Sequence, residues 1–335
     1  MLISFAIVAF NEEKTLPRLL EDLKYQTYPH DKIEVLLIDS MSTDSTKDIM
    51  ISFANEDNGF YGVKVLENRG KIIPCGHNVA IDNYVGDALV RIDAHATMPN
   101  DFIAKNVAVL EKGEFASGGK RPNVIDGTNS WKETLLVAEQ SMFGSSFASY
   151  RKSEKEMYAS SLFCGMYRRE VYDRVGKYNE LLPRTEDNDM TYRMRSAGFK
   201  LFYSPDIVFY QHTRSTLFKM LKQKFLNGYW IGKTMGINPK CFSLFHFVPF
   251  AFIIGIIISS ALCFFAFPWL AIAMWTAYFA LIFAITAFET IKKFRITNIL
   301  LPAIFLLLHV SYGIGTLIGL IVMPFWCFAV KRKKR

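Results

Sequence analysis

The chain has 335 residues, carries a net charge of +8 and is 51% hydrophobic and 15% aromatic. That length holds one large domain plus a membrane region, and the apolar residues are concentrated in the last third, which excludes an ordinary soluble fold throughout. The basic excess lies beside apolar segments, where it reads as a cytoplasmic membrane face rather than a nucleic-acid surface, and five scattered cysteines without a C-x-x-C pair argue against a disulfide framework or a zinc site.

Residues 3–10 form a continuous apolar run rich in β-branched side chains, the pattern of a central parallel strand. The run has neither the basic start nor the cleavage site of a signal peptide, and it passes at once into Asn11-Glu12-Glu13. Asn11 is placed to cap a helix over 12–26, where Leu16, Leu19, Leu20 and Leu23 recur at helical spacing. Residues 35–38 make a second strand ending in Asp39, and Ser42-Thr43-Asp44 caps a second helix. A third strand over 63–66, a third helix containing 78–84 and a fourth strand over 88–92 follow, the last ending in Asp93. Alternating strands and helices give an α/β, doubly wound, mainly parallel (Rossmann-like) sheet, whose ligands bind at the carboxyl ends of the strands. Asn11, Asp39 and Asp93 all stand at such ends.

The next stretch is less periodic. Residues 118–122 (Gly-Gly-Lys-Arg-Pro) look like a turn, 131–143 a helix, 162–167 a strand, 169–175 a short helix and 185–196 a helix whose first turn holds Glu186-Asp187-Asn188-Asp189. Residues 217–235 mix Phe218, Leu221, Phe225, Tyr229 and Trp230 with Lys219, Lys222, Lys224 and Lys233, which suits a helix at a membrane interface; an ordinary surface helix is the alternative.

Residues 244–267 and 269–290 are each long enough to span about 30 Å of hydrocarbon. After the break at Lys292, Lys293 and Arg295, the apolar stretch 299–330 is longer than one span needs. If the first half is cytosolic, two crossings return the 292–295 break to the cytosol, as the positive-inside rule requires. A third crossing would carry the basic residues 331–335 outside, so either the rule fails there or part of 299–330 is a re-entrant or interfacial hairpin around 309–315, and the hairpin is the favoured expectation. The organisation is therefore a domain over 1–215, an amphipathic segment over 216–240 and a membrane region over 241–335.

Four motifs occur in order: Ile7-Val8-Ala9-Phe10-Asn11-Glu12-Glu13, then residues 38–46 from Ile38-Asp39 to Asp44-Ser45-Thr46, then Asp93-Ala94-His95, then Glu186-Asp187. Together they resemble the signature of family 2 inverting glycosyltransferases with the GT-A fold, over about residues 1–230. The segment Arg91–His95 with Pro99, and His309-Val310-Ser311-Tyr312-Gly313, further resemble the exopolysaccharide branch that builds succinoglycan-like units. The resemblance implies a GT-A domain that takes a nucleotide-diphosphate sugar, most simply a UDP-sugar. It places the nucleotide against Ala9, Asn11, Glu12, Asp39, Asp44, Lys71 and Asp93. Asp39 would accept from the base or ribose, with a turn residue as the plain alternative, and Asp44 is equally a helix cap.

Asp93 and His95 replace the family's usual Asp-x-Asp, and the pair suits one divalent cation, Mn2+ or Mg2+, bridged to the diphosphate. The alternative for His95 is a structural histidine or a phosphate contact. The resemblance makes Asp187 the catalytic base, with Glu186 beside it; the plain reading is that acids stabilise a helix N-terminus. Lys71, Lys120, Arg121, Arg193 and Lys224 are candidate phosphate partners against a background of solvated basic residues. Gly165 would allow an acceptor to approach closely or would simply permit tight packing. The expected acceptor is a polyprenyl-diphosphate-linked saccharide at the cytoplasmic face of the cell membrane. Rival readings are a polyprenyl-phosphate sugar synthase and a non-catalytic nucleotide-sugar-binding scaffold.

Overall fold

The computed structural model describes residues 1–127, 129–141, 143–144, 153–213, 216–265 and 267–333. In chain order the elements begin with β1 (Ile3–Ala9), α1 (Leu16–Lys24), β2 (Ile33–Asp39), α2 (Thr46–Asn55), β3 (Gly62–Glu67), α3 (Ile73–Asn83), β4 (Ala88–Asp93), β5 (Ala96–Thr97), α4 (Phe102–Glu111) and β6 (Ala116–Lys120). They continue with β7 (Asn123–Val124), α5 (Ser130–Gln140), β8 (Met157–Ala159), β9 (Met166–Arg168), α6 (Arg169–Val175), α7 (Glu186–Ser196), β10 (Leu201–Val208) and β11 (Tyr210–His212). The long helices α8 (Leu217–Thr234), α9 (Val248–Phe264), α10 (Trp269–Lys292) and α11 (Leu301–Lys333) complete the chain. The chain forms two compact units, one of Met1–Pro122 with Ser149–His212, the other of Asn123–Ala148 with Thr213–Arg335.

The first unit is built on a sheet ordered β3-β2-β1-β4-β9-β6-β10-β8. β3, β2, β1 and β4 run parallel, with Ala9 opposite Asp39, Asp39 opposite Glu67, and Val8 opposite Asp93. That register brings the carboxyl ends of all four strands to one edge. β1 and β2 are buried on both faces, as their largely apolar sequences suit, and their polar residues Ser4 and Glu34 meet each other by a buried hydrogen bond. The core of this unit joins Phe5, Ile7, Val35, Leu37 and Val90 to Leu16, Leu19 and Leu23 of α1 and to Phe102 and Ile103 of α4.

Several boundaries differ from those read from the sequence, each for a local reason. Asn11 does not cap α1: it has a positive φ of 53°, and α1 starts only at Leu16, after the Leu16 N–H has bonded back to the Glu12 carbonyl at 2.9 Å. Residues 118–120 are not a turn but the end of β6. A Cβ on Gly119 would sit 2.5 Å from the Ser204 carbonyl of β10, so the glycine is there to let two strands approach. The strand expected over 162–167 is only β9, because Cys164 takes φ 46° and breaks the extended run. α6 is Arg169–Val175, as the pattern predicts.

The second unit is helical. α5 ends at Gln140; Met142, within the helix expected over 131–143, lies outside the described residues, as do residues 334 and 335 of the basic tail. Leu135 and Ala138 of α5 pack with Met220 of α8, Ile282 of α10 and Leu301, Ile304, Phe305 and Leu308 of α11. Among the described residues three segments, Leu244–Phe264, Trp269–Lys292 and Ile296–Arg332, are long and apolar enough to cross a membrane. The hairpin expected around 309–315 does not form: α11 is one continuous helix through His309, Gly313 and Gly315, with Pro324 inside it. The glycines that suggest a turn serve a different contact. A Cβ on Gly232 of α8 would lie 2.6 Å from the Leu320 N of α11, and one on Gly319 of α11 would lie 3.1 Å from the Gly232 Cα. Gly228, Gly232, Gly315 and Gly319 thus let α8 and α11 touch backbone to backbone, as small residues do between membrane helices. α8 is therefore not a helix lying free at an interface; its Lys224 and Lys233 are buried, and Lys233 Nζ lies 4.1 Å from the Trp230 ring centroid and 4.3 Å from that of Trp326.

Candidate active site

The carboxyl edge of the parallel strands carries a run of backbone strain. Asn11 after β1, Met41 after β2 and Lys71 after β3 have positive φ values of 53°, 64° and 62°. None is glycine, so each loop holds a conformation that L-residues adopt only when the surroundings impose it, a pattern that gathers at ligand sites. The side chains that impose it are the ones singled out in the sequence. Asn11 Oδ1 accepts from the Thr43 N–H at 2.8 Å, and the Asn11 N–H donates to Ser42 Oγ at 3.0 Å. Asp39 is buried, and its carboxylate accepts the Ser42 N–H at 3.1 and 3.3 Å. Asp44 accepts from the Thr46 N–H at 3.0 Å and Thr46 Oγ1 at 2.6 Å, and from the Glu13 N–H at 3.3 Å. Asp44 therefore braces the start of α2 and ties it to the loop after β1. The Glu12 N–H donates to Thr46 Oγ1 at 2.8 Å, and Lys71 is exposed. Ala9 ends β1, with its carbonyl accepting the Ser40 N–H at 2.8 Å.

Next along the edge is β4, which ends in Asp93, with His95 two residues on. His95 Nδ1 lies 3.5 Å from Glu12 Oε1, and both side chains are about one-quarter exposed. The His95 imidazole and the Glu12 carboxylate set a nitrogen beside an oxygen donor. Among the described residues no cluster of three or more His, Cys, Asp or Glu is gathered to hold a metal by itself. A site of this kind suits a cation that takes one or two protein ligands and completes its shell with phosphate oxygens and water.

The acids of α7 stand at its first turn, where a helix N-terminus favours negative charge. Asp187 is ion-paired with Arg91 of β4 and keeps 27% of its side-chain surface exposed. Glu186 is buried, and its carboxyl is pushed up to about 8, first by burial and then by the adjoining Asp187 carboxylate; Asp93 adds to the same effect. Glu186 Oε2 has no hydrogen-bond partner. The fold thus brings Asp93, Glu186 and Asp187 into electrostatic range, from two segments more than ninety residues apart in sequence. Behind Asp93 lies Cys164, whose thiol is buried and pushed well up from its usual range, so it is no nucleophile.

Five predicted contact residues have other partners. Arg193 donates to Asp189 Oδ2 at 2.8 Å and to the carbonyls of Val175 at 2.8 Å and Lys177 at 2.9 Å, which pins α7 to the preceding loop. Gly165 is small because a Cβ there would lie 2.7 Å from Tyr167 Oη. Lys224 lies in the helical unit, paired with Glu139 at 3.2 Å. Lys120 pairs with Glu154 at 2.5 Å, and Arg121 stacks on Phe163 at 3.7 Å. Pattern reading gave no site role to Arg91, which pairs with Asp187, or to His77 and Tyr178, which lie against Arg91. The available signal was Arg91 itself, a lone charge inside the apolar strand 88–92, which demands a buried counter-charge.

Residues 4–176 match the model of the family described as Glycosyl transferase family 2. The chain is 28% identical over 326 residues to a dolichyl N-acetyl-alpha-D-glucosaminyl phosphate 3-beta-D-2,3-diacetamido-2,3-dideoxy-beta-D-glucuronosyltransferase of Methanococcus voltae, covering 93% of this chain and 95% of that one. It is 27% identical over 232 residues to the succinoglycan biosynthesis protein ExoA of Rhizobium meliloti, covering 68% and 67%. Among solved structures, a mannosyltransferase from Pyrobaculum calidifontis in complex with GDP-Man and Mn2+ superimposes with a TM-score of 0.60 at 17% identity, over 94% of this chain and 87% of that one. The S. aureus TarS fragment 1–349 in complex with UDP-GlcNAc gives a TM-score of 0.51 at 18% identity, over 94% and 90%. These likenesses establish the GT-A fold for the sheet.

Proposed function

We propose, from the premise that this chain belongs to glycosyl transferase family 2, that it transfers one sugar with inversion from a nucleotide-diphosphate sugar to an isoprenoid-phosphate-linked saccharide. A nucleotide-sugar donor is what the family uses; the choice of UDP, the acceptor and the stereochemistry are our reading. The observation that carries it is the ion pair that holds Asp187 against Arg91, two residues before Asp93 at the carboxyl end of β4, in a chain whose described residues include three helices long and apolar enough to cross a membrane. The M. voltae relative, named for a dolichyl-linked sugar phosphate, aligns over nearly the whole chain, apolar helices included.

In this reading the strained loops after β1, β2 and β3 take the nucleotide, with Asp39 and Asn11 holding the loop backbones that line it. Asp93 and His95 would hold the divalent cation, Mn2+ or Mg2+, with Glu12 beside the imidazole. When bound, the cation offsets negative charge that develops on the departing diphosphate. Asp187 accepts the proton of the acceptor hydroxyl as its oxygen attacks the anomeric carbon from the face opposite the diphosphate, which inverts that centre. Glu186, kept protonated by burial, adds no second negative charge beside the base. The apolar helices anchor the chain in the cell membrane, where an isoprenoid-linked acceptor resides, with the catalytic domain on the cytoplasmic side.

The test incubates membranes containing the protein with a panel of radiolabelled nucleotide sugars, Mn2+ or Mg2+ and native lipid extract, and follows label into the organic phase. Label in a new glycosidic bond on a lipid-linked saccharide, lost in Asp187→Asn, is the expected result. Label appearing only as a glycosyl ester of the lipid phosphate would sink the saccharide-acceptor reading.

A further inference from the structure

Arg91 is 8% exposed in the interior of a strand, a place where a guanidinium persists only if its charge is paired; among the described residues its Nε finds no partner. Its two terminal nitrogens go to different partners. Nη2 donates to Asp187 Oδ1 from β4 to the first turn of α7. Nη1 lies 2.7 Å from Nε2 of His77, on α3. The plane is closed on one side by the Tyr178 ring, whose centroid is 5.0 Å from the guanidinium carbon. Tyr178 in turn is fixed by Asn78, the residue next to His77: its N–H donates to Asn78 Oδ1 at 2.8 Å, and its carbonyl accepts from Asn78 Nδ2 at 3.0 Å.

The proton assignment follows from the donors. Arg91 Nη1 can only donate, so His77 Nε2 is the acceptor and carries no proton. His77 is 4% exposed, and burial, with the guanidinium beside it, holds its pKa well below 6.5. A neutral imidazole is therefore fixed in one tautomer, with its proton on Nδ1. Arginine's fork is planar and rigid, so fixing Nη1 fixes the direction of Nη2. With Oδ1 of Asp187 taken by Nη2, the second carboxylate oxygen is left for a substrate proton on a side chain that is still partly exposed.

We propose that Arg91, oriented by His77, is the positioning residue of the catalytic base: it ties one oxygen of Asp187 and so presents the other to the acceptor hydroxyl. This rests on Asp187 being the base. Arg91 touches no reacting atom: its part in turnover runs through Asp187, and its charge also bears on Glu186 beside it.

The experiment uses full-length protein in membranes, the donor selected by the panel above, native lipid extract as acceptor, and titration with UDP and GDP as nucleotide probes. Arg91→Ala should lower kcat by about a hundredfold with donor KM and nucleotide affinity within about twofold, because a base out of place costs the transition state rather than ground-state binding. Guanidinium chloride at low millimolar concentration should restore part of that kcat. His77→Gln, which keeps an acceptor oxygen, should stay near the wild type, while His77→Leu loses about tenfold in kcat. Unchanged kcat in Arg91→Ala, loss of nucleotide binding in step with kcat, or no recovery with guanidinium would overturn the proposal. If Arg91→Ala does not fold, equal kcat in His77→Gln and His77→Leu overturns it instead. Asp187→Asn separates the two readings: an inactive Asp187→Asn beside fully active Arg91 variants defeats only the positioning role, and an active Asp187→Asn defeats the base itself.

Discussion

Two stretches of one sheet edge treat their acids in opposite ways. After β1 and β2, Asp39 and Asp44 are occupied by backbone N–H groups of their own loops, and the strain appears in the main chain at Asn11, Met41 and Lys71. Around β4 and α7 the main chain is ordinary, and the strain is electrostatic: Glu186 is buried with an unpartnered oxygen, and Asp187 depends on one buried arginine. The first stretch shapes a surface by hydrogen bonding; the second stores charge for chemistry. Substitutions should therefore damage different quantities on the two sides.

The largest expected effect is on the charged side. Asp187→Asn should reduce turnover by about a thousandfold, the usual scale of a lost general base, with nucleotide affinity almost unchanged; single-turnover kinetics and titration check both halves. Retained turnover would erase the contrast by making Asp187 one more structural acid. His95→Ala should weaken the metal dependence of activity by about ten- to a hundredfold in half-saturating Mn2+, and His95→Asp should raise activity with Mg2+ relative to Mn2+. A metal titration that does not move in His95→Ala assigns the histidine to structure.

Glu186 gives a pH signature. Its folded-state pKa is raised to about 8 from 4.5, so between those values the folded chain holds a proton that the unfolded chain has released. Stability from this group is fully present below about pH 4.5 and declines as pH rises toward 8. Glu186→Gln cannot lose that proton. Measured in metal-free buffer by thermal unfolding, its stability relative to the wild type should grow from pH 5 to 8 by on the order of a few kcal/mol and level off above. A flat difference would mean that the carboxyl finds a partner on the charged side after all.

On the hydrogen-bonded side the effects are smaller and fall on stability. Asp39→Ala leaves the Ser42 N–H in a buried place without its acceptor, at a cost of about 1–3 kcal/mol, and should weaken nucleotide binding in the same variant. Asp44→Ala should lower stability less than Asp39→Ala, by loosening the start of α2 where Asp44 holds Thr46, with kcat retained in what remains folded. Denaturation curves beside nucleotide titrations would show whether the loops and the ligand are coupled as the strain implies.

The parallel strands were legible because most are apolar runs closed by a polar residue, which also put Asn11, Asp39 and Asp93 at their carboxyl ends; their order and register came only with the structure. The placement of Asp93 and Asp187 near one another was legible only through the resemblance, since no spacing in the sequence joins residues so far apart. Arg91 and His77 were not read as a unit, because their pairing depends on α3 lying against β4. The glycines misled: Gly119, Gly313 and Gly315 carry the composition of turns, yet one lets strands approach and the others let helices approach. A glycine states that something comes close; the sequence leaves open whether that is a turn, a strand or another helix.

The unbroken course of α11 has a geometric consequence. Thirty-three residues rising about 1.5 Å each make a rod of about 50 Å. To fit wholly inside about 30 Å of hydrocarbon it would have to lean by more than about 50°, beyond the tilt that spanning helices adopt. If α11 spans the membrane as proposed, at least one end would therefore emerge as a stalk through the headgroups. With Lys331 and Arg332 at one tip, that stalk would work as a depth gauge, setting how far the rod can sink before charge meets oil.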